Sequence, residues 1–210
     1  MPPYTTVKNN EVFQIYLWKI EEPESWLSRD IVLTAHCQTR LDGMKSELHR
    51  RGFLSIRHLL ALAGYTDADL FYDEVGKPHL KDGTFISITH SFEFTGIIVS
   101  KKQEVGIDIE KQRDKILRIA HRFTPVKEYR TLANDQALIR KLTMVWGAKE
   151  SIYKIMGMPG LSFLNHIRVS EFDMDQGESR AGVLLKGVSR EFEVHFKEFE
   201  GFTLAYALSV

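Results

Sequence analysis

The sequence predicts an α+β fold made of two similar α/β halves. Three observations predict it: two long helical patterns of equal span, strand-like sequence after each, and closing strands, "GIIVS" and "AYALSV", that look alike. With 210 residues, 43% of them hydrophobic, the chain can bury a real core and fits one large domain or two small ones. The expected division is 1–104 and 105–210. The halves are expected to be related by a pseudo-two-fold.

Taken in order, the first helix is expected to start at a cap on Asp42, run through "GMKSELHRRGFLSIRHLLALA" and stop at Gly64. This part of the chain is basic. Residues 36–58 carry Arg40, Lys45, Arg50, Arg51 and Arg57 with three histidines, against Asp42 and Glu47. A formal net charge of zero argues against a general nucleic-acid binder, but a local patch for an anionic ligand stays open. "GKPHL" at 76–80 supplies a turn signal, and "FISITHSFEFTGIIVS" reads as strand.

"VGIDIE" at 105–110 then places Val105, Ile107 and Ile109 on one face of a strand and Asp108 and Glu110 on the other. Those carboxylates lie roughly 7 Å apart along the backbone and repel unless a cation, a basic side chain or water lies between them. "RFTPVKEY" reads as a helix start, with Thr124 as cap, Pro125 at the first position and Glu128 in the first turn.

The second helix is expected from Asp135 to Gly157, with Pro159 beyond it. Met144, Ala148, Ile152 and Ile155 form its core stripe; Trp146, Glu150, Tyr153 and Lys154 share the other side. Glu150 and Lys154 could be an ordinary surface pair, yet a tryptophan beside them argues for a cleft. "IRVSEF", "REFEVHFKEF" and "FTLAYALSV" follow as strands. Arg57 and Glu150 stand equally far past the two expected caps, so a symmetric molecule would point both into a shared cleft.

The only cysteine, Cys37, excludes an internal disulfide framework. No apolar run approaches bilayer-spanning length, and "MPPYTTVKNNEVF" lacks the layout of a signal peptide. A soluble, cytoplasmic protein is expected. The eight histidines show no zinc spacing, and there is no Walker loop, G-x-G-x-x-G or G-x-S-x-G. Adding Glu150 to Asp108 and Glu110 gives three carboxylates, which suit Mg²⁺ or Mn²⁺ far better than zinc.

The succession "GKP" (76–78), "THS" (89–91), "GIDIE" (106–110), Phe123…Glu128 and W-x-x-K-E-x-x-x-K (146–154) resembles the Sfp-type 4′-phosphopantetheinyl transferases, over roughly residues 45–165. The resemblance implies two similar α+β halves with the active site between them. It also implies transfer of phosphopantetheine from coenzyme A to a serine of an acyl or peptidyl carrier protein, releasing 3′,5′-ADP. By the same resemblance Asp108, Glu110 and Glu150 ligate Mg²⁺. Lys154 and His90 contact the diphosphate, Lys77 the nucleotide end, and Thr89 stands where the family usually has Ser. Arg50, or Arg51 in another register, and Arg57 fall in the phosphate-binding helix. Glu150, then Glu128, are the candidate general bases. The chain ends soon after "AYALSV", without the C-terminal extension of some relatives.

Carrier proteins are acidic, so basic surface near 40–58 or Lys101 and Lys102 suits docking. Neither nucleic acid nor membrane is an expected partner, and a chain carrying both halves is expected to work as a monomer. The alternatives are a metal-dependent phosphohydrolase of coenzyme A-like diphosphates and a non-catalytic coenzyme A-binding protein.

Overall fold

The structure, a computed structural model, describes residues 4–9, 12–125 and 134–210. The chain divides into two compact units, the first running to Gln103 and the second from Glu104 to Val210. Helix and strand mix in both, and the fold class is α+β.

The first unit opens with β1 (Thr5–Asn9) and β2 (Phe13–Lys19). Three helices follow: α1 (Glu24–Leu27), α2 (Ala35–Asp42) and α3 (Glu47–Leu62). A 3₁₀ turn at Asp67–Asp69 leads into the β3 (Leu70–Tyr72) and β4 (Pro78–Leu80) hairpin, then β5 (Phe85–Ser91) and β6 (Phe94–Ser100). The main sheet has the antiparallel order β1-β2-β6-β5. Leu54, Ile56, Leu59 and Leu60 of α3 pack with Tyr16 and Trp18 of β2 and Ile97 of β6. That burial is the main favourable term in this half.

The expected first helix is wrong at its start. Asp42 closes α2, Gly43 caps that helix, and α3 begins from Ser46, whose Oγ accepts from the His49 N–H at 3.4 Å. A serine that accepts from the third residue on is a stronger start signal than the aspartate chosen from the pattern. The equal helix spans disappear with it: α3 has 16 residues against 22 in the second long helix. The symmetry argument that paired Arg57 with Glu150 therefore loses its register.

In the second unit come β7 (Val105–Lys111), α4 (Lys115–Ile119), α5 (Asp135–Met156) and β8 (Ile167–Val169). β9 (Glu178–Leu185), β10 (Val188–Phe199) and β11 (Phe202–Ser209) complete an antiparallel sheet of order β7-β11-β10-β9-β8. Met144, Ala148, Ile152 and Ile155 of α5 pack with Phe192, Val194, Ala205 and Ala207 of the sheet, as the periodicity predicts. Asn134, not Asp135, caps the helix by accepting from the Ala137 N–H at 2.9 Å, and Gly157 ends it at φ 55°. Each unit thus runs strand, long helix, then hairpin, with β2-β6-β5 in one sheet matched by β7-β11-β10 in the other. The expected helix start at Thr124 falls mostly outside the described residues.

Arg57 anchors the first unit from within. Its side chain is 4% exposed and its Nε donates to Asp67 Oδ1 at 2.8 Å, while Nη1 donates to the Phe53 carbonyl at 3.1 Å. Burial by itself would raise the Asp67 carboxyl. The backbone N–H of Thr34, the Arg57 charge and the Thr34 hydroxyl outweigh it and hold the group below the usual carboxylate range. A carboxyl depressed in the folded state contributes stability above its unfolded pKa, and that contribution is lost as pH falls through the lower folded pKa. Asp67→Asn should cost about 3 kcal/mol at neutral pH, because it leaves a buried guanidinium without its counter-charge. Urea unfolding at pH 7 and pH 3 should show the difference between wild type and variant narrowing at the lower pH.

Candidate active site

The site in the second unit exists because two glycines let α5 approach the sheet. A Cβ built on Gly106 would run into the Ser151 carbonyl oxygen and lie 2.7 Å from its carbon. One built on Gly147 would lie 2.9 Å from the Ala205 Cβ. Ser151 ties the two layers where they touch: its Oγ donates to the Gly147 carbonyl at 2.8 Å or the Ala205 carbonyl at 3.1 Å. Asp108 pairs with Ala205 across the strands, so the same approach sets its carboxylate under the helix.

Around that contact the structure gathers four of the expected side chains. Lys154 Nζ donates to Asp108 Oδ1 at 2.9 Å and to the Ile107 carbonyl at 2.7 Å. Burial and the nearby Asp108 and Glu110 carboxylates push Glu150 up to about 7, against the pull of Lys154. Glu110 is raised by burial and by Asp108, while a hydrogen bond from Trp146 and the charges of Arg113 and Lys154 act the other way. Asp108 is buried; Glu110 and Glu150 are half-buried.

Trp146 is not solvated. Its ring stands edge-on to Phe123 at 5.1 Å and tilted to Phe163 at 5.4 Å. With Glu110, Lys111, Arg113, Ile116 and Ile119 it lines a cleft of about 200 Å³.

Among the described residues no group of three or more His, Cys, Asp and Glu stands ready to hold a metal ion. The donor chemistry nonetheless fits a hard divalent cation. Three carboxylates lie close enough to raise two of their own number, an excess of negative charge that a cation would relieve.

The first unit brings other expected residues together. His90 and Arg57 line a cleft of about 270 Å³ with Arg40, His49, Phe53 and Tyr72. Arg40 lies 5.5 Å from the Tyr72 ring centroid, and the His49 and His90 rings are 6.4 Å apart, edge-on. Thr89 does not share this face. Successive side chains of β5 alternate, and Thr89 is buried while His90 is exposed.

Arg50 is bound to the Glu24 carboxylate at 2.8 Å and to the Met44 carbonyl at 2.9 Å; Arg51 donates to the carbonyls of Glu22 and Ile20. Lys77 sits in the turn between β3 and β4, where its backbone N–H donates to Asp73 Oδ1 at 2.8 Å. Glu128 lies outside the described residues. Sequence reasoning counted Arg40 and His49 among the basic residues without singling them out, and nothing in the sequence pointed to Tyr72.

Residues 104–207 match the family described as the 4′-phosphopantetheinyl transferase superfamily. The second unit belongs to that superfamily. No curated protein matches the chain. Members of the superfamily use coenzyme A as the source of the group they transfer. The matched segment holds Asp108, Glu110, Glu150 and Lys154, and no helix among the described residues is long and apolar enough to cross a membrane.

A side chain at either glycine should push this superfamily site apart. Gly147→Ala is expected to cost about 1–3 kcal/mol by overpacking. Gly106→Ala meets backbone and should cost more, enough to deny a soluble native fold. Thermal unfolding followed by circular dichroism orders the two; a Gly106→Ala protein as stable as wild type would contradict the packing.

Proposed function

We propose that the protein transfers 4′-phosphopantetheine from coenzyme A to a serine of an acyl or peptidyl carrier protein, with Mg²⁺ or Mn²⁺, as a cytoplasmic monomer. The observation that carries this reading is the gathering of Asp108, Glu110, Glu150 and Lys154 inside the segment that matches the superfamily. The two parts of the chain keep the roles assigned from the sequence: 1–104 for coenzyme A, 105–210 for the metal and the chemistry.

In the proposed reaction the serine Oγ forms a bond to the β-phosphorus of coenzyme A, and the bond from that phosphorus to the bridging oxygen breaks. 3′,5′-ADP leaves with the electron pair, and the serine proton passes to a carboxylate. Glu150 is the first candidate for that base, because burial and like charge give it a raised affinity for a proton. Glu128 is the second. A divalent cation held by Asp108, Glu110 and Glu150 would neutralise charge on the phosphoryl and leaving oxygens. Lys154, freed from Asp108, adds positive charge at the α-phosphate.

In the first unit the cleft with Arg40, His49 and His90 suits an anionic ligand, and His90 keeps its place as a diphosphate contact. Lys77 is proposed for the nucleotide end, Thr89 for a hydrogen bond through its backbone, and Arg50 for a phosphate. Arg57 is the weakest of these. Its charge is already matched by Asp67 in the interior, so releasing it to a phosphate would cost the pair.

Intact mass spectrometry of an apo acyl carrier protein, incubated with coenzyme A and this protein, tests the proposal. The expected result is one phosphopantetheinyl group gained with Mg²⁺ and none with chelator. Coenzyme A cleaved without carrier modification would instead show a hydrolase, and binding without either would show a coenzyme A binder. Glu150→Gln should lower turnover by about 10²–10⁴-fold with an unchanged circular dichroism spectrum.

A further inference from the structure

Lys77 has both of its backbone polar groups bound by one residue. Its N–H donates to Asp73 Oδ1 at 2.8 Å, and its carbonyl accepts from the Asp73 N–H at 3.1 Å. The same Oδ1 accepts from the Val75 N–H at 3.0 Å, while the Gly76 N–H donates to the Asp73 carbonyl at 3.0 Å. An aspartate that bonds the backbone two residues on forms a turn, and Gly76, at φ 82°, supplies the left-handed step. Pro78 follows and biases Lys77 towards extended backbone.

The other carboxylate oxygen is anchored as well. Asp73 Oδ2 accepts from His79 Nε2 at 2.9 Å, and the His79 ring stacks on Phe71 at 5.4 Å between centroids. The hydrogen bonds from His79 and from the Lys77 N–H hold the Asp73 carboxyl below the usual carboxylate range, so it stays an acceptor at neutral pH. β3 and β4 have three residues each, and a strand pair so short is marginal without such help. Tyr72, which lines the first-unit cleft, pairs across the strands with Pro78. The turn therefore fixes the point from which the lysine side chain starts, one residue from the partner of a cleft-lining tyrosine. Order set in the free protein is a cost that ligand binding no longer bears.

We infer that Asp73 is a positioning residue for Lys77, which by holding both backbone groups of the lysine presets its ammonium for the nucleotide end of coenzyme A. The inference rests on the transferase reading above, in which Lys77 contacts that end.

Isothermal titration calorimetry of coenzyme A into the full chain tests this, with the thermal midpoint measured beside each variant. Lys77→Met should weaken binding about tenfold, the loss of one hydrogen bond from a charged group. Asp73→Ala should weaken it about fivefold. Asp73→Asn should recover most of that loss, because its amide oxygen still accepts from Val75 and Lys77. In a Lys77→Met background, Asp73→Ala should add less than about twofold, since nothing is left to position. If Asp73→Ala does not fold, Gly76→Ala replaces it in the comparison. That substitution strains the same turn where a Cβ meets nothing within 4 Å.

Asp73→Ala binding as tightly as wild type, or losing the same factor with and without Lys77, would overturn the inference and leave Asp73 a turn residue of the fold alone. Lys77→Met binding as tightly as wild type would remove Lys77 from the nucleotide end, and the inference with it. A wild-type protein that binds no coenzyme A would instead overturn the transferase reading itself.

Discussion

The near-contact of α5 with β7 is the constraint on which the second unit depends. Gly106 and Gly147 remove the two side chains that would hold helix and sheet apart, and Ser151 bonds across the gap. Only at that separation do Glu150 and Lys154, one turn apart on the helix, reach the strand that carries Asp108 and Glu110. A wider gap would let water screen the carboxylates from one another, and the rise in the Glu150 pKa would fade. The packing is therefore what turns four ordinary charged residues into a site.

Charge is used differently in the two units. In the first, positive charge is largely answered by the protein itself: Arg57 by Asp67, Arg50 by Glu24, and Arg51 by two carbonyls. Arg40 instead lies over the Tyr72 ring, beside the two histidines of the cleft. In the second, negative charge collects under α5, and Lys154 is drawn into it by Asp108. Lys149, its neighbour on the same helix, donates to the carbonyls of Phe123, Phe163 and Ile167 and so ties down the surroundings of the centre.

Much of the candidate site was legible because its residues are close in sequence or at helical spacing. "VGIDIE" declares its two faces by alternation, and the turn from Glu150 to Lys154 follows from the period of the helix. The turn between β5 and β6 was not legible. It places Phe92 at φ 51°, a conformation that a phenylalanine does not advertise. β9 carries a weak strand pattern because Ala181 and Gly182 interrupt it, and the β1–β2 pair has no strong turn signal between its strands. The basic helix misled for another reason. Counting arginines says where charge is, and not that Arg57 would turn inward to Asp67, ten positions on across a turn.

By itself the sequence determined the α+β class, the core stripe of α5, its glycine stop, and the set of acidic and basic residues from which a phosphoryl-transfer site could be drawn. Periodicity and local chemistry suffice for those, because each depends on neighbours along the chain. Tertiary structure decided which charges are spent on the fold and which remain near one another. That is settled by burial and by partners distant in sequence, such as Thr34 with Asp67 or Phe163 with Lys149, whose meeting no local pattern encodes.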